Sequence, residues 1–271
     1  MKWILLLCSC LTCSAQFPYS GTTWKGPSSA PFDFNSVANL YIELFADSAA
    51  NWSGNTNGGT TLGTWLDQTS FHNDFTNGAT IIHYVPGYRF GNGPTNGWYV
   101  DFHTNTTTAA LGWAMQCVNS PGSNQPNAVF MVCTVKFNPS GYFDAISGSR
   151  ELFQARAVGS VPNNSTMFAG TLAAPNPFPV SQDGLWYVFS FVFNGASSYV
   201  RTNGVIMSGG LDPGANALGK MMLGNDQTVV TPYNGYMAAV LVYGQSPSTN
   251  DLQAIEKNLS KKYGHIYPDG L

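Results

Sequence analysis

Leu185–Phe193 reads LWYVFSFVF, apolar at every position except Ser190. A run this short, rich in aromatic and β-branched residues, suits a strand buried on both faces better than a helix with a polar side. Val129–Phe137 (VFMVCTVKF) and Tyr236–Tyr243 (YMAAVLVY) repeat the pattern. Together they predict three central strands that line a core. Beside the first, Ser198–Thr202 and Val205–Ser208 flank Asn203–Gly204, a dipeptide whose two residues tolerate positive φ and so predict a two-residue hairpin turn. Shorter runs, several alternating with a period of two, recur between Gly, Pro, Asn and Ser turn signals from Val37 onward. The expected fold is all-β, a two-sheet antiparallel jelly-roll sandwich. One segment breaks the pattern. Ser248 can cap a helix with Asp251 at its third position, and Leu252, Ile255, Leu259 and Tyr263 follow at helical spacing before Gly264. This predicts an amphipathic helix over residues 248–263, docked on the sandwich by its apolar stripe.

The 271 residues include 11 Lys+Arg and 14 Asp+Glu, a net charge of −3, and charged residues make up only 9% against about 25% in average domains. Between Lys25 and Lys136 the one basic residue is Arg89, and three of the eleven are Lys257, Lys261 and Lys262, so no nucleic-acid footprint exists. The polar surface must be mostly amide and hydroxyl, which suits a neutral, hydroxyl-rich partner such as a glycan or cell-surface polysaccharide and equally suits an exported β-rich protein that carries it for solubility alone.

At the start, Met1 and Lys2 precede the apolar run Trp3–Leu11, and Cys13–Ser14–Ala15 offers a small-residue cleavage site before Gln16. Residues 1–15 therefore read as a signal peptide, residues 16–36 as a Pro/Ser/Gly arm, 37–264 as one domain and 265–271 as a tail. No later run reaches 18 apolar residues, so no transmembrane anchor is expected in the mature chain, and the expected location is secreted or at the cell surface. Outside the leader only Cys117 and Cys133 remain. In an exported chain they predict a disulfide, with two buried thiols as the alternative.

Spacing argues against several catalytic arrangements. The glutamates are Glu43, Glu151 and Glu256, each about a hundred residues from the next, so no strand supplies paired acids on one face. An acid pair would have to be assembled through the fold, for example from Glu43 and Asp101. His72, His83, His103 and His265 lack zinc spacing, no nucleophile elbow is present, and Gly91, Gly93 and Gly97 read as turn glycines.

The C-terminal third carries a resemblance. Tyr199–Val205 (YVRTNGV), Leu223–Gly224, Tyr233–Tyr243 (YNGYMAAVLVY) and Ala254–Gly264 (AIEKNLSKKYG) resemble, in order and spacing, the closing strands and helix of bacterial and phage laminin-G-like, concanavalin A-like domains. Upstream, Trp65-Leu-Asp67, Thr69–Ser70 and Asn73–Asp74 resemble that family's Trp-x-Asp, Ser-Gly, Asn-Asp stretch, with Phe71–His72 replacing its glycine-rich pair. The resemblance implies a jelly roll with binding, adhesive or structural roles, sometimes with calcium at the rim and with catalysis only in particular branches.

Sugar rings stack on flat aromatic faces while their hydroxyls bond to Asn, Asp and backbone groups. Trp52 with Asn55, and Trp98 and Tyr99 with Asp101, are the candidate ligand contacts, expected in loops, with half-buried loop anchors as the equal alternative for Trp52 and Trp98; Trp65, Trp113 and Trp186 read as core. Asp47 and Asp67 are the candidate calcium ligands. These readings converge on a non-catalytic exported carbohydrate-binding or adhesive module. The alternatives are a structural or host-attachment protein on a phage or virus particle, bound to virion or cell-surface proteins, and, third, a glycoside hydrolase.

Overall fold

The computed structural model describes residues 31–47, 51–53, 63–76, 87–90, 93–94, 97–102, 114–117, 119, 123–136, 142–147, 152–158, 161–171, 183–219, 221–224, 233, 235–264 and 266. Its contacts divide the chain into Met1–Phe32 and Asp33–Leu271, and the fold below is that of the second unit. The expected leader and most of the expected arm lie outside the described residues, as do Asn55 and Trp113.

Along the chain the strands are β1 (Leu40–Phe45), β2 (Trp52–Ser53), β3 (Thr64–Trp65), β4 (Phe75–Thr76), β5 (Gly87–Phe90), β6 (Trp98–Asp101), β7 (Met115–Cys117), β8 (Asn127–Lys136), β9 (Tyr142–Ser147), β10 (Leu152–Val158), β11 (Val161–Phe168), β12 (Asp183–Phe193), β13 (Ser198–Thr202), β14 (Val205–Leu211), β15 (Met222–Leu223) and β16 (Tyr236–Tyr243), followed by helix α1 (Thr249–Lys262). One sheet runs β14-β13-β12-β8-β16-β6-β5, with β1 also paired to β16; the other runs β11-β10-β9-β15-β7-β4-β3-β2. The described strand pairs are antiparallel. The all-β sandwich expected from the sequence is the observed architecture.

The three apolar runs are β12, β8 and β16, side by side in the first sheet. Inward, Val129, Met131, Cys133, Phe189, Phe191, Val240 and Val242 join Trp65, Phe75, Met115, Cys117 and Leu223 of the second sheet in one core. Outward, Phe130, Val132, Val188, Ser190, Leu241 and Tyr243 are buried as well. Helix α1 accounts for this second burial, since its Leu252, Ile255, Leu259 and Tyr263 are all buried and Glu256 reaches Ser190 on the outer face of β12. Each such apolar side chain contributes about 1.5–3 kcal/mol.

Local signals set the boundaries. Ser248 Oγ accepts the Asp251 N–H at 3.2 Å and donates to Asp251 Oδ2 at 2.6 Å, closing the first turn of α1, while Gly264 with φ 84° ends the segment. At the β13–β14 turn Asn203 has φ 49° and Gly204 φ 81°, as a type I′ turn requires. The turn docks on β12, where Asn203 Oδ1 accepts the Val188 N–H at 2.9 Å and the Asn203 N–H donates to the Val188 carbonyl at 2.8 Å.

One expectation is corrected. Cys117 and Cys133 are free buried thiols, not a disulfide. They lie on β7 and β8, in opposite sheets. Packed sheets stand about 10 Å apart, whereas a disulfide needs Cα atoms within about 7 Å. Cys117 Sγ instead hydrogen-bonds the Asn119 carbonyl, and burial pushes the Cys133 thiol up to about 12 beside Tyr233.

Candidate functional site

Asp67, a candidate calcium ligand, organises a loop. Its Oδ1 accepts the backbone N–H groups of Glu43 at 2.8 Å and Thr69 at 3.1 Å, and its Oδ2 accepts Thr69 Oγ1–H at 2.6 Å and the Asn73 N–H at 2.8 Å. Four donors on a carboxylate that is only 3% exposed leave it serving the fold. The Trp-x-Asp and Asn-Asp stretch is thereby tied to β1. Asp47 is elsewhere engaged, with Lys262 Nζ at 2.5 Å and Asn51 Nδ2 at 3.0 Å. Among the described residues no group of three or more His, Cys, Asp or Glu side chains is placed to hold a metal ion.

Glu43 projects from β1 on the face opposite Ile42 and Leu44, beneath the 3-10 turn Phe34–Ser36, and accepts Asn35 Nδ2–H at 3.1 Å. Burial raises its pKa above 4.5; the Asn35 hydrogen bond opposes the rise, and the Asp67 and Asp33 charges add to it. The imagined acid pair with Asp101 does not form. Glu43 stands opposite Leu241 and Asp101 opposite Tyr236, five residues apart on β16, which is roughly 15 Å of strand. Glycosidase acid pairs span about 5–9.5 Å.

The ligand candidates expected in loops stand on strands. Trp52 is in β2, opposite Trp65, and Trp98, Tyr99 and Asp101 form part of β6. Alternation splits β6: Trp98 packs against the core, whereas Tyr99 and Asp101 face outward. Their outward neighbours were not among the candidates. Trp186, read from sequence as core, is only partly buried and stands on the outer face of β12 opposite Thr134. Tyr236, also partly buried, donates its N–H to Thr134 Oγ1 at 3.0 Å and stands opposite Asp101, which in turn faces Gly87 on β5. Trp186, Thr134, Tyr236, Asp101 and Gly87 thus form one row across five strands.

The two rings of that row meet each other and Tyr99. Tyr99 and Tyr236 have centroids 4.6 Å apart, Tyr99 and Trp186 6.4 Å in an edge contact, and Trp186 and Tyr236 6.4 Å with planes 33° apart. Tyr99 is 2% exposed and forms the floor; Trp186 and Tyr236 expose part of each ring above it. Trp186 and Tyr236, each partly exposed, can stack on apolar ring faces; Thr134 beside them is fully buried, its oxygen accepting the Tyr236 N–H, and Asp101 is only 5% exposed.

No protein-family model matches the sequence, and no curated protein matches it. Solved structures match the fold. Domain 4 of a GH43 extracellular arabinanase from Geobacillus stearothermophilus, in complex with arabinotriose, aligns at TM-score 0.54 and 14% identity, over 81% of this chain and 99% of that domain. A GH54 α-L-arabinofuranosidase aligns at TM-score 0.59 and 11% identity, over 84% of this chain and 63% of the enzyme. A Trypanosoma rangeli sialidase aligns at TM-score 0.47 and 13% identity, the chain spanning only 32% of its length. The likeness is one of fold, a two-sheet antiparallel β-sandwich.

These matches overturn the expectation of a non-catalytic adhesive module or a virion attachment protein, because the arabinanase domain and the arabinofuranosidase that share the fold belong to glycoside hydrolases. Composition was unable to separate the two, since a low-charge amide and hydroxyl surface suits a hydrolase facing polysaccharide as well as an adhesin.

Proposed function

We propose that the chain serves glycoside hydrolysis and engages an arabinose-containing, neutral polysaccharide on the outer face of its first sheet. The carrying observation is the convergence of Trp186 and Tyr236 over Tyr99 on the outer face of that sheet. An arabinanase domain with bound arabinotriose and an arabinofuranosidase share the sandwich, which supports the choice of sugar. The 9% charged composition supports a neutral partner. In this reading the partly exposed rings of Trp186 and Tyr236 hold the apolar faces of the sugar. The domain over 37–264, its laminin-G-like membership, and export through a leader at residues 1–15 belong to the same proposal.

The test incubates the full chain with arabinan and arabinoxylan and follows both reducing-sugar release and tryptophan fluorescence. Release is expected, together with quenching by arabinan. Trp186→Ala weakens binding by about tenfold, the scale of one lost stacking contact. Absence of both release and quenching overturns the reading; quenching without release overturns its hydrolytic part.

A further inference from the structure

We infer that Phe71 and Tyr41 form a second carbohydrate-stacking site, separate from the Trp186–Tyr236 face and independent of it. The pair belongs to the other end of β16. Gly244, which lies under the Tyr41 ring, follows Tyr236 by eight residues, roughly 25 Å of extended chain. Phe71 is 55% exposed, and its ring meets the partly buried Tyr41 ring edge-on, with centroids 5.3 Å apart and planes at 71°. An edge contact covers at most one face of one ring, so flat aromatic surface is left for a ligand.

The scaffold holds this pair without using the Phe71 side chain. Tyr41 is the extra residue of a β-bulge, between Leu40 opposite Tyr243 and Ile42 opposite Val242, and part of its ring rests on the core. Its carbonyl accepts Asn73 Nδ2–H at 2.7 Å and Thr69 Oγ1–H at 3.3 Å, while any Cβ at residue 244 would collide with its ring. The loop that carries Phe71 is fixed by the four donors on Asp67, by the Phe71 N–H on Thr69 Oγ1 at 3.3 Å, and by Asn119 Nδ2–H on the His72 carbonyl at 3.2 Å. Every one of these bonds survives truncation of the Phe71 ring. The ring is presented by the fold and contributes little to it.

The surroundings choose the ligand class. Flanking the rings along the chain are Asn39, Gln68, His72 and Gln245, all exposed, with Asn39 Nδ2 donating to Gln245 Oε1 at 3.0 Å and the Asn39 carbonyl accepting the Gly244 N–H at 2.8 Å. Segments 39–41, 68–73 and 244–245 contain no Lys, Arg, Asp or Glu. An anionic ligand would find no Lys or Arg there, and a cationic one no carboxylate. A purely apolar partner would cover amide groups that it could not bond. A neutral sugar ring satisfies both kinds of surface, its C–H face on Phe71 and its hydroxyls toward the amides.

The experiment runs the full chain and its variants through native gels cast with soluble arabinan or arabinoxylan, reads retardation as affinity, and measures Tm on the same samples. Phe71→Ala is expected to weaken binding by about five- to tenfold, the scale of one stacking contact, and to leave Tm unchanged. Phe71→Trp, which keeps a flat ring, should preserve binding. Phe71→Ala combined with Trp186→Ala should abolish the retardation that either single variant retains. Parent-like retardation of Phe71→Ala overturns the inference, and so does a Tm lowered by several degrees, which would make the ring an anchor of its loop. Binding lost entirely with Trp186→Ala overturns this site and upholds the other face; binding lost with Phe71→Ala but untouched by Trp186→Ala does the reverse. A parent chain that neither polysaccharide retards overturns both.

Discussion

Glu43 and Asp67 show how two neighbouring carboxylates acquire different roles from their surroundings. Asp67 accepts four donors at 2.6–3.1 Å and acts as the knot of its loop. Glu43, joined to Asn35 by one described side-chain bond, is buried with Asp67 and Asp33 close enough to disfavour its charge. A carboxyl whose folded pKa is raised contributes stability that is fully present below its unfolded value of 4.5 and is lost as pH rises through the folded value. Glu43→Gln keeps an acceptor for Asn35 and abolishes the titration. Calorimetric Tm values between about pH 4.5 and 7 should therefore fall less for Glu43→Gln than for the parent, with the variant gaining most at the upper end. Parallel curves would show that Glu43 carries no linkage. Sequence could name Asp67 because the Trp-x-Asp and Asn-Asp pattern is local. It could not show that Glu43 lies under the 3-10 turn, which takes residues 33 to 43 folding back on themselves.

Among the elements, α1 was the most legible, because its cap, stripe and stop all lie within residues 248–264. One signal inside that stripe had a meaning the pattern did not disclose. Glu256 stands four residues after Leu252 on the buried face. It accepts Arg201 Nε–H at 2.8 Å, Arg201 Nη2–H at 3.0 Å and Ser190 Oγ–H at 2.7 Å, so one carboxylate ties the helix to β12 and β13. Glu256 is 1% exposed and Arg201 7%, so removing one partner strands a buried charge. Glu256→Ala should lower unfolding free energy by about 3–5 kcal/mol in guanidinium denaturation. The double substitution Arg201→Met with Glu256→Leu should recover most of it; a loss below about 1 kcal/mol for the single change would mean water reaches the pair. The strands divide in the same manner. The apolar runs announced β8, β12 and β16, while the two-residue β2, β3, β4 and β15 are too short for any period to declare them.

At the scale of the molecule the two layers decide what can touch. Because Cys117 and Cys133 belong to different sheets, reductant should leave the thermal midpoint of the folded domain unchanged. A fall of several degrees would reveal a bridge, since closing a loop of this size is worth about 3 kcal/mol. The same layering explains the fate of the tryptophans. Trp65 and Trp186 both lie in apolar runs, yet the first is fully buried between the sheets and the second half-exposed on an outer face. Periodicity places alternate residues on opposite faces of a strand, but α1 covers only part of the outer face, and the uncovered part cannot be located from β12 alone.

The amino-acid order by itself determined the strand-rich character, the three central strands, the Asn203–Gly204 turn and the capped helix, because each depends on residues within one turn or one strand of each other. Tertiary structure alone decided that β12, β8, β16 and β6 lie side by side, and so brought Trp186, Tyr236, Tyr99 and Asp101 from distant segments onto one surface. That surface is a property of strand order and register, which arise from long-range pairing and burial rather than from any local preference of the chain.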